Sequence, residues 1–387
     1  MTQEQKILID ALCVAMTGVN KEIPREADWQ NVLKLAGRHG LLPLLSDGLQ
    51  KLPDVWNQLP ETVQNRLSAA YMQAIYKEAQ MDYTKACLEE KLNQAQVEHI
   101  FLKGAVLKHD YPVPALRTMG DLDVLVYTKD FGKIDQVAKQ LEGVQEEGDG
   151  NHRNYSFPGG ALVEFHPNLL HHGTPVGTQI NPGWQYSKKN GNVTELTEEG
   201  IYLNTICHLA NHFVAGGVGV RFVLDVWVSR HLRKTQPDRT FVEAELERFE
   251  LLTFAQKIEA LAECWFGEGG SDPILEELGQ YILTSGSYGT ANTAMLNAVS
   301  LSPGGSRVSA LLKKAFYPKA ELEDRYPWCK GKPILLPAAW CCRAYTAVTT
   351  HGKEIRSWSK GTGKISEEAV SAQREKLARF GIERKKK

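Results

Sequence analysis

The run GDLDVLV (120–126) decides how this chain folds. Leu122 to Tyr127 (LDVLVY) reads as a buried strand, rich in aliphatic residues and bounded by a glycine. Side chains alternate along a strand, so Asp121 and Asp123 project to one face while Leu122 and Val124 point to the other. Two carboxylates so placed repel unless a cation lies between them. Hard divalent ions, Mg²⁺ above all, take oxygen ligands and bind through one or two carboxylates plus substrate phosphate. A D-x-D at a strand edge is common without any metal, so the neighbouring segments must carry part of the argument.

Those segments describe a small mixed domain. IFL (100–102) is a short apolar strand, followed by a turn at Lys103-Gly104 and a helix-like AVLKHDY. FGKIDQVAKQLEG (131–143) is an amphipathic helix ending at glycine. RNYSF (153–157), the turn PGG and ALVEFH (161–166) form a hairpin. Glu164 stands in that last apolar strand, where a charge is otherwise unexpected, and is the natural third carboxylate for Asp121 and Asp123 if two ions are to flank a phosphoryl group. A lone strand glutamate is more often a solvent-facing residue. Gly104 lets backbone approach closely, and the helix start beyond it offers N–H groups to an anion. Lys103 adds a point charge, and Arg117 a planar fork suited to phosphate oxygens. The alternatives are an exposed cation at a turn for Lys103, and for Arg117 a structural partner of Asp121 or Asp123. His166 shares a face with Glu164 and can touch phosphate, orient a carboxylate or simply fill the core.

The flanks are helical, so the expected class is α+β: a small mixed sheet between N-terminal and C-terminal helical regions. Residues 61–96 lack Gly and Pro and abound in helix formers, with Leu67, Tyr71, Ala74 and Ile75 forming one stripe. Shorter helices are expected near 3–17 and 28–38, the latter closed by Gly40. Helix resumes at Thr197, an N-cap followed by Glu198 and Glu199 in the first turn, and continues near 220–233, 239–248 and 251–266. Clustered Gly, Ser and Pro predict that loops interrupt 269–306. The divisions read are 1–95, 96–192, 193–300 and a C-terminal extension 301–387 with a charged tail.

Composition narrows the function classes. The 387 residues include 45 Lys+Arg against 46 Asp+Glu, a formal charge of -1, which lacks the basic footprint of a nucleic-acid coat protein. No stretch approaches the roughly 20 apolar residues needed to cross a bilayer. The N-terminal residues lack the basic region and cleavage site of a secretory signal. Seven scattered cysteines, none in a CxxC pair, fit reduced thiols better than a zinc site or disulfide framework. The expectation is a cytoplasmic enzyme.

In combination the motifs resemble a known family. Phe101-Leu102-Lys103-Gly104-Ala105, Tyr111-Pro112, Leu116-Arg117 and Gly120 to Val126 are similar to the uncharacterised nucleotidyltransferase family, part of the DNA polymerase β-like nucleotidyltransferase superfamily. Val163-Glu164-Phe165-His166, Cys207-His208-Leu209 through His212, and Arg221 through Asp225 extend the likeness. The resemblance covers roughly 95–230. It implies Mg²⁺ (or Mn²⁺) held by Asp121, Asp123 and Glu164, and transfer of a nucleoside monophosphate from an NTP to a hydroxyl or phosphate acceptor. Glu164 would also assist deprotonation, and Lys103 with Gly104 would form the triphosphate-side turn. The superfamily's turn is usually Gly-Ser or Gly-Gly, so this chain departs from it there. A non-catalytic nucleotide-binding module, or a phosphotransferase using the same carboxylates, are the alternatives. His208 and His212 share a helix face as structural or substrate-lining residues, since H-E-x-x-H is absent. Arg221 and Asp225, four apart, are expected to form an intrahelical ion pair. GSYGT (286–290) lacks a P-loop ending and reads as a turn.

Overall fold

The computed structural model describes residues 1–146, 152–169, 183–190, 193–287, 289–310, 319–346, 349, 361 and 365–383. Tyr288 of the 286–290 turn and the tail residues 384–387 lie outside them. Helices α1 (Gln3–Thr17), α2 (Trp29–Arg38), α3 (Leu42–Gln50), α4 (Pro53–Trp56) and α5 (Glu61–Gln94) come first. Their ends follow local chemistry. Thr2 and Gln5 form a reciprocal capping box at α1, and Gly18 closes it in the left-handed region at φ 70°. With no Gly or Pro, α5 runs 34 residues, about 50 Å at 1.5 Å per residue.

The α+β expectation holds. Strands β1 (His99–Phe101), β2 (Asp121–Val126), β3 (Val144–Gln145), β4 (Arg153–Phe157) and β5 (Ala161–His166) form one mixed sheet in the order β1-β2-β5-β4-β3. Between β1 and β2 lies α6 (Gly104–Leu107), and between β2 and β3 lies α7 (Phe131–Gln140). The hairpin of β4 and β5 is antiparallel, whereas β5 runs parallel to β2. A separate antiparallel pair, β6 (Ser187–Asn190) and β7 (Val193–Leu196), follows. Helices α8 (Glu198–Ala215), α9 (Val220–His231), α10 (Arg239–Arg248), α11 (Leu252–Phe266), α12 (Pro273–Ser285) and α13 (Ala291–Ser300) follow, with further helices at Lys319–Arg325 and Glu367–Arg379 among the described residues. Residues 269–306 are thus more helical than their Gly, Ser and Pro content predicts. Asp272 and Thr290 cap α12 and α13, and Pro273 sits at the first helical position, where its missing N–H costs nothing.

Two apolar cores meet at the sheet. Leu122, Val124 and Val126 of β2 join Val163 and Phe165 of β5 in the core beneath α7. On the opposite face of β2, Leu125 belongs to a second core that unites α1–α3 with α8, α9, α11 and α12. Helix α5 serves both: Val63 and Leu67 enter the helical core, while Met81, Leu88 and Leu92 enter the sheet core. The carboxylate-bearing faces of β2 and β5 are left pointing toward α8 and α9.

Close helix crossing demands a small residue at one point. A Cβ on Gly48 of α3 would lie 1.9 Å from the Ala11 carbonyl oxygen of α1. Gly48→Ala is therefore expected to lower unfolding free energy by about 3 kcal/mol, the upper part of the overpacking range, measured by urea denaturation.

Candidate active site

Register assembles the acidic face. Parallel pairing sets Asp123 directly opposite Glu164 and Leu125 opposite His166. Strand alternation then turns Asp121, Asp123, Glu164 and His166 to one side, where all four line a cavity of about 310 Å³. Lys103, Gly104 and Arg117 line the same cavity. Ligand atoms of Asp123, Glu164 and His166 lie within 4.8 Å of one another, a separation that suits a shared ion. Among the described residues, this tight group contains His166 where the sequence reading had Asp121.

Asp123 is the most constrained member, 5% exposed. Its Oδ1 accepts from Lys103 Nζ at 2.5 Å and from His166 Nε2 at 2.9 Å. A carboxylate only accepts, so His166 presents its protonated Nε2 to it, with Glu164 Oε2 3.4 Å from the same nitrogen. Burial favours the neutral acid, but the Lys103 charge and the His166 hydrogen bond overcome it and hold Asp123 well below the ordinary carboxylate range. Asp121 is shifted the other way, first by burial and then by the negative charge of Asp123. Glu164 also rises, through burial and the Asp121 and Asp123 charges, against the pull of His166.

Lys103 reaches Asp123 because of a strained turn. The Ala105 N–H bonds to the Leu102 carbonyl at 3.2 Å, and Lys103 holds φ 51°, ψ -119°. That is the first central position of a type II′ turn, which favours glycine. Leu102 N–H also bonds to the Asp123 carbonyl at 3.0 Å, pinning the turn beside the carboxylate. Gly104 is required for a different reason: a Cβ there would meet Arg117 Nη1 at 2.7 Å and Met119 Cβ at 3.1 Å.

Arg117 is engaged more deeply than its sequence neighbourhood suggests. Its Nε and Nη2 donate to Asp225 Oδ1 and Oδ2 at 3.1 and 2.7 Å, while Tyr111 Oη donates to Oδ1 at 2.7 Å. Burial opposes the guanidinium charge, yet Asp225 raises its pKa further. The expected Arg221–Asp225 pair is therefore corrected. Asp225 faces Arg117 across the cavity wall, and Arg221 donates instead to the Thr118 carbonyl at 2.7 Å. Tyr111 and Asp225 had no signal at the level of spacing, since the contact spans 108 residues.

Helix α8 supplies the remaining wall through Asn204, Thr205, His208, Asn211 and His212. His208 and His212 meet edge to face with ring centroids 4.4 Å apart, and both approach Phe222 at 5.6 Å. His208 is pushed well below the ordinary histidine pKa by burial and by the Lys103 and His212 charges, so it is neutral.

A mixed sheet that gathers carboxylates, an imidazole and an ammonium beside a polar cavity has the layout of a transferase of the nucleotidyl kind. The chain belongs to the uncharacterised nucleotidyltransferase family, whose pattern matches residues 25–267. No curated protein and no solved structure matches it.

Two tests follow from this geometry. Asp225→Ala strands a buried guanidinium and is expected to cost about 3–5 kcal/mol in urea denaturation, whereas Arg221→Ala costs about 1. The metal-free protein should also show opposite pH effects at the paired aspartates. A depressed carboxylate stabilises the fold above its unfolded-state pKa, and that contribution fades as pH falls; a raised one destabilises the fold as pH climbs. Near pH 7, Asp123→Asn should therefore lower Tm and Asp121→Asn raise it, and both differences should shrink below about pH 4 in differential scanning calorimetry.

Proposed function

We propose that the chain is a divalent-metal-dependent nucleotidyltransferase, moving a nucleoside monophosphate from an NTP to a hydroxyl or phosphate acceptor. The observation that carries this reading is the convergence of Asp123, Glu164 and His166 within 4.8 Å, on a cavity that Asp121 also lines, in a chain of this family. The donor set fits a hard ion: carboxylate oxygens dominate, and Asp121 and Asp123 are mutually repulsive without a cation. Asp121, Asp123 and Glu164 would hold Mg²⁺ or Mn²⁺, with His166 orienting Asp123. Bound there, the ion supplies charge neutralisation for the triphosphate and makes the acceptor hydroxyl more acidic.

The protein's own groups supply position and electrostatics, which dominate phosphoryl-type transfer. Lys103 offers an ammonium from a rigid turn to a phosphate oxygen. Arg117, clamped by Asp225, adds fixed positive charge to the wall beside Gly104. Glu164, on the same cavity face as Asp121 and Asp123, would also assist deprotonation of the acceptor.

Incubation with α-labelled NTP, Mg²⁺ and a cell extract should move label to an acceptor and release pyrophosphate. Asp121→Ala combined with Asp123→Ala should reduce transfer by at least about 1000-fold; undiminished transfer would refute the assignment. Release of a nucleoside diphosphate instead would identify a phosphotransferase. Lys103→Gly keeps a residue that tolerates positive φ while deleting the ammonium, so transfer should fall about 100-fold with the circular dichroism spectrum unchanged.

A further inference from the structure

The cavity has two chemically different poles. One is the charged face of β2, β5 and the Lys103 turn. The other is α8, which contributes no carboxylate, ammonium or guanidinium to the lining. Asn204, His208 and Asn211 are spaced by four and three residues and therefore share one helix face. Both asparagines are more than nine-tenths buried, at 3% and 8% exposure. Their Oδ1 atoms nevertheless have no hydrogen-bond partner. Buried amide oxygens are almost always satisfied, so two orphans on one face of one cavity require an explanation. Thr205 does not share their state, because its hydroxyl already donates to the Ile201 carbonyl at 2.8 Å.

We propose that the α8 face is the subsite for an uncharged, hydrogen-donating group of the substrate, received by the side-chain oxygens of Asn204 and Asn211 on either side of His208. The inference builds on the transferase reading of the same cavity and names what its far pole recognises. The two orphans are acceptors, which selects a ligand rich in O–H or N–H donors. Neutral His208 offers one donor and one acceptor and brings no charge of its own to this pole. Hydroxyls of a sugar-like acceptor and the ribose and amino groups of the nucleotide's own nucleoside share this chemistry.

The four ribonucleosides and a set of neutral monosaccharides, all without phosphate, serve as probes, read by saturation-transfer NMR and calorimetry without metal. The wild type is compared with Asn204→Leu, Asn211→Leu, a near-isosteric pair that removes both orphans. Tm should rise, because desolvated unpaired oxygens are gone. The affinity of at least one probe should fall 10-fold or more. If the leucine pair does not fold, Asn204→Ala with Asn211→Ala supplies the same binding comparison. A wild type that binds no probe, or a variant that binds as tightly, overturns the proposal. Loss of nucleoside affinity assigns the face to the nucleotide, and loss of sugar affinity alone assigns it to the acceptor. Wild-type protein that binds a probe yet neither binds Mg²⁺–NTP nor transfers label refutes the transferase reading and leaves this subsite standing.

Discussion

A single buried carboxylate, Asp123, sets the terms for everything around it. Removing an ionised group from water is expensive unless charge and hydrogen bonds replace the lost hydration. Here the replacement comes from three directions: a lysine on the turn after β1, an imidazole on β5, and strand pairing that fixes all of them in register. Because β2 and β5 are parallel and adjacent, a one-residue slip would reverse every side chain and bury the acids in the apolar core. The acidic cluster and sheet stability therefore impose the same register.

The site lies where two cores meet. The sheet buries its own apolar face against α7 and the later turns of α5, while the helical body packs on the other side. Polar side chains gather at the seam. The clamp of Arg117, Tyr111 and Asp225 ties the segment before β2 to α9 and fixes the distance between the acidic sheet and the helical wall. Lys108, fully buried, ties the same segment to Glu78 at 3.0 Å and to Asp82 on α5. The insert between β1 and β2 is thereby anchored on both sides by ion pairs rather than by apolar packing alone.

Local periodicity made the sheet legible. The two-residue alternation of Asp121 and Asp123, and of Glu164 and His166, is written in the chain and needs no tertiary information. Helices α5 and α8 were equally visible, α5 through its composition and α8 through its Thr197 cap. The positive φ of Lys103 was not visible: lysine carries no preference for it, and the surrounding structure imposes the conformation. Nor was the Arg117–Asp225 contact, since Arg221 is the nearer partner in sequence and only packing sends it to Thr118. Asn204 and Asn211 did leave a trace, two amides on a largely buried helix that also carries Thr205, His208 and His212. Only burial without partners distinguishes them from surface residues.

Helix α1 lies outside the segment that matches the family, 25–267, yet Ile7, Leu8, Leu12 and Val14 are buried in the same core as α8 and α9. Phe380, in the turn after the last helix (Glu367–Arg379), is also fully enclosed and contacts Phe213 of α8 at 6.1 Å between ring centroids. A fragment trimmed to the matched stretch would leave these apolar surfaces uncovered next to the helix that walls the cavity. Expression boundaries drawn from family likeness alone would thus produce a sticky, aggregation-prone polypeptide.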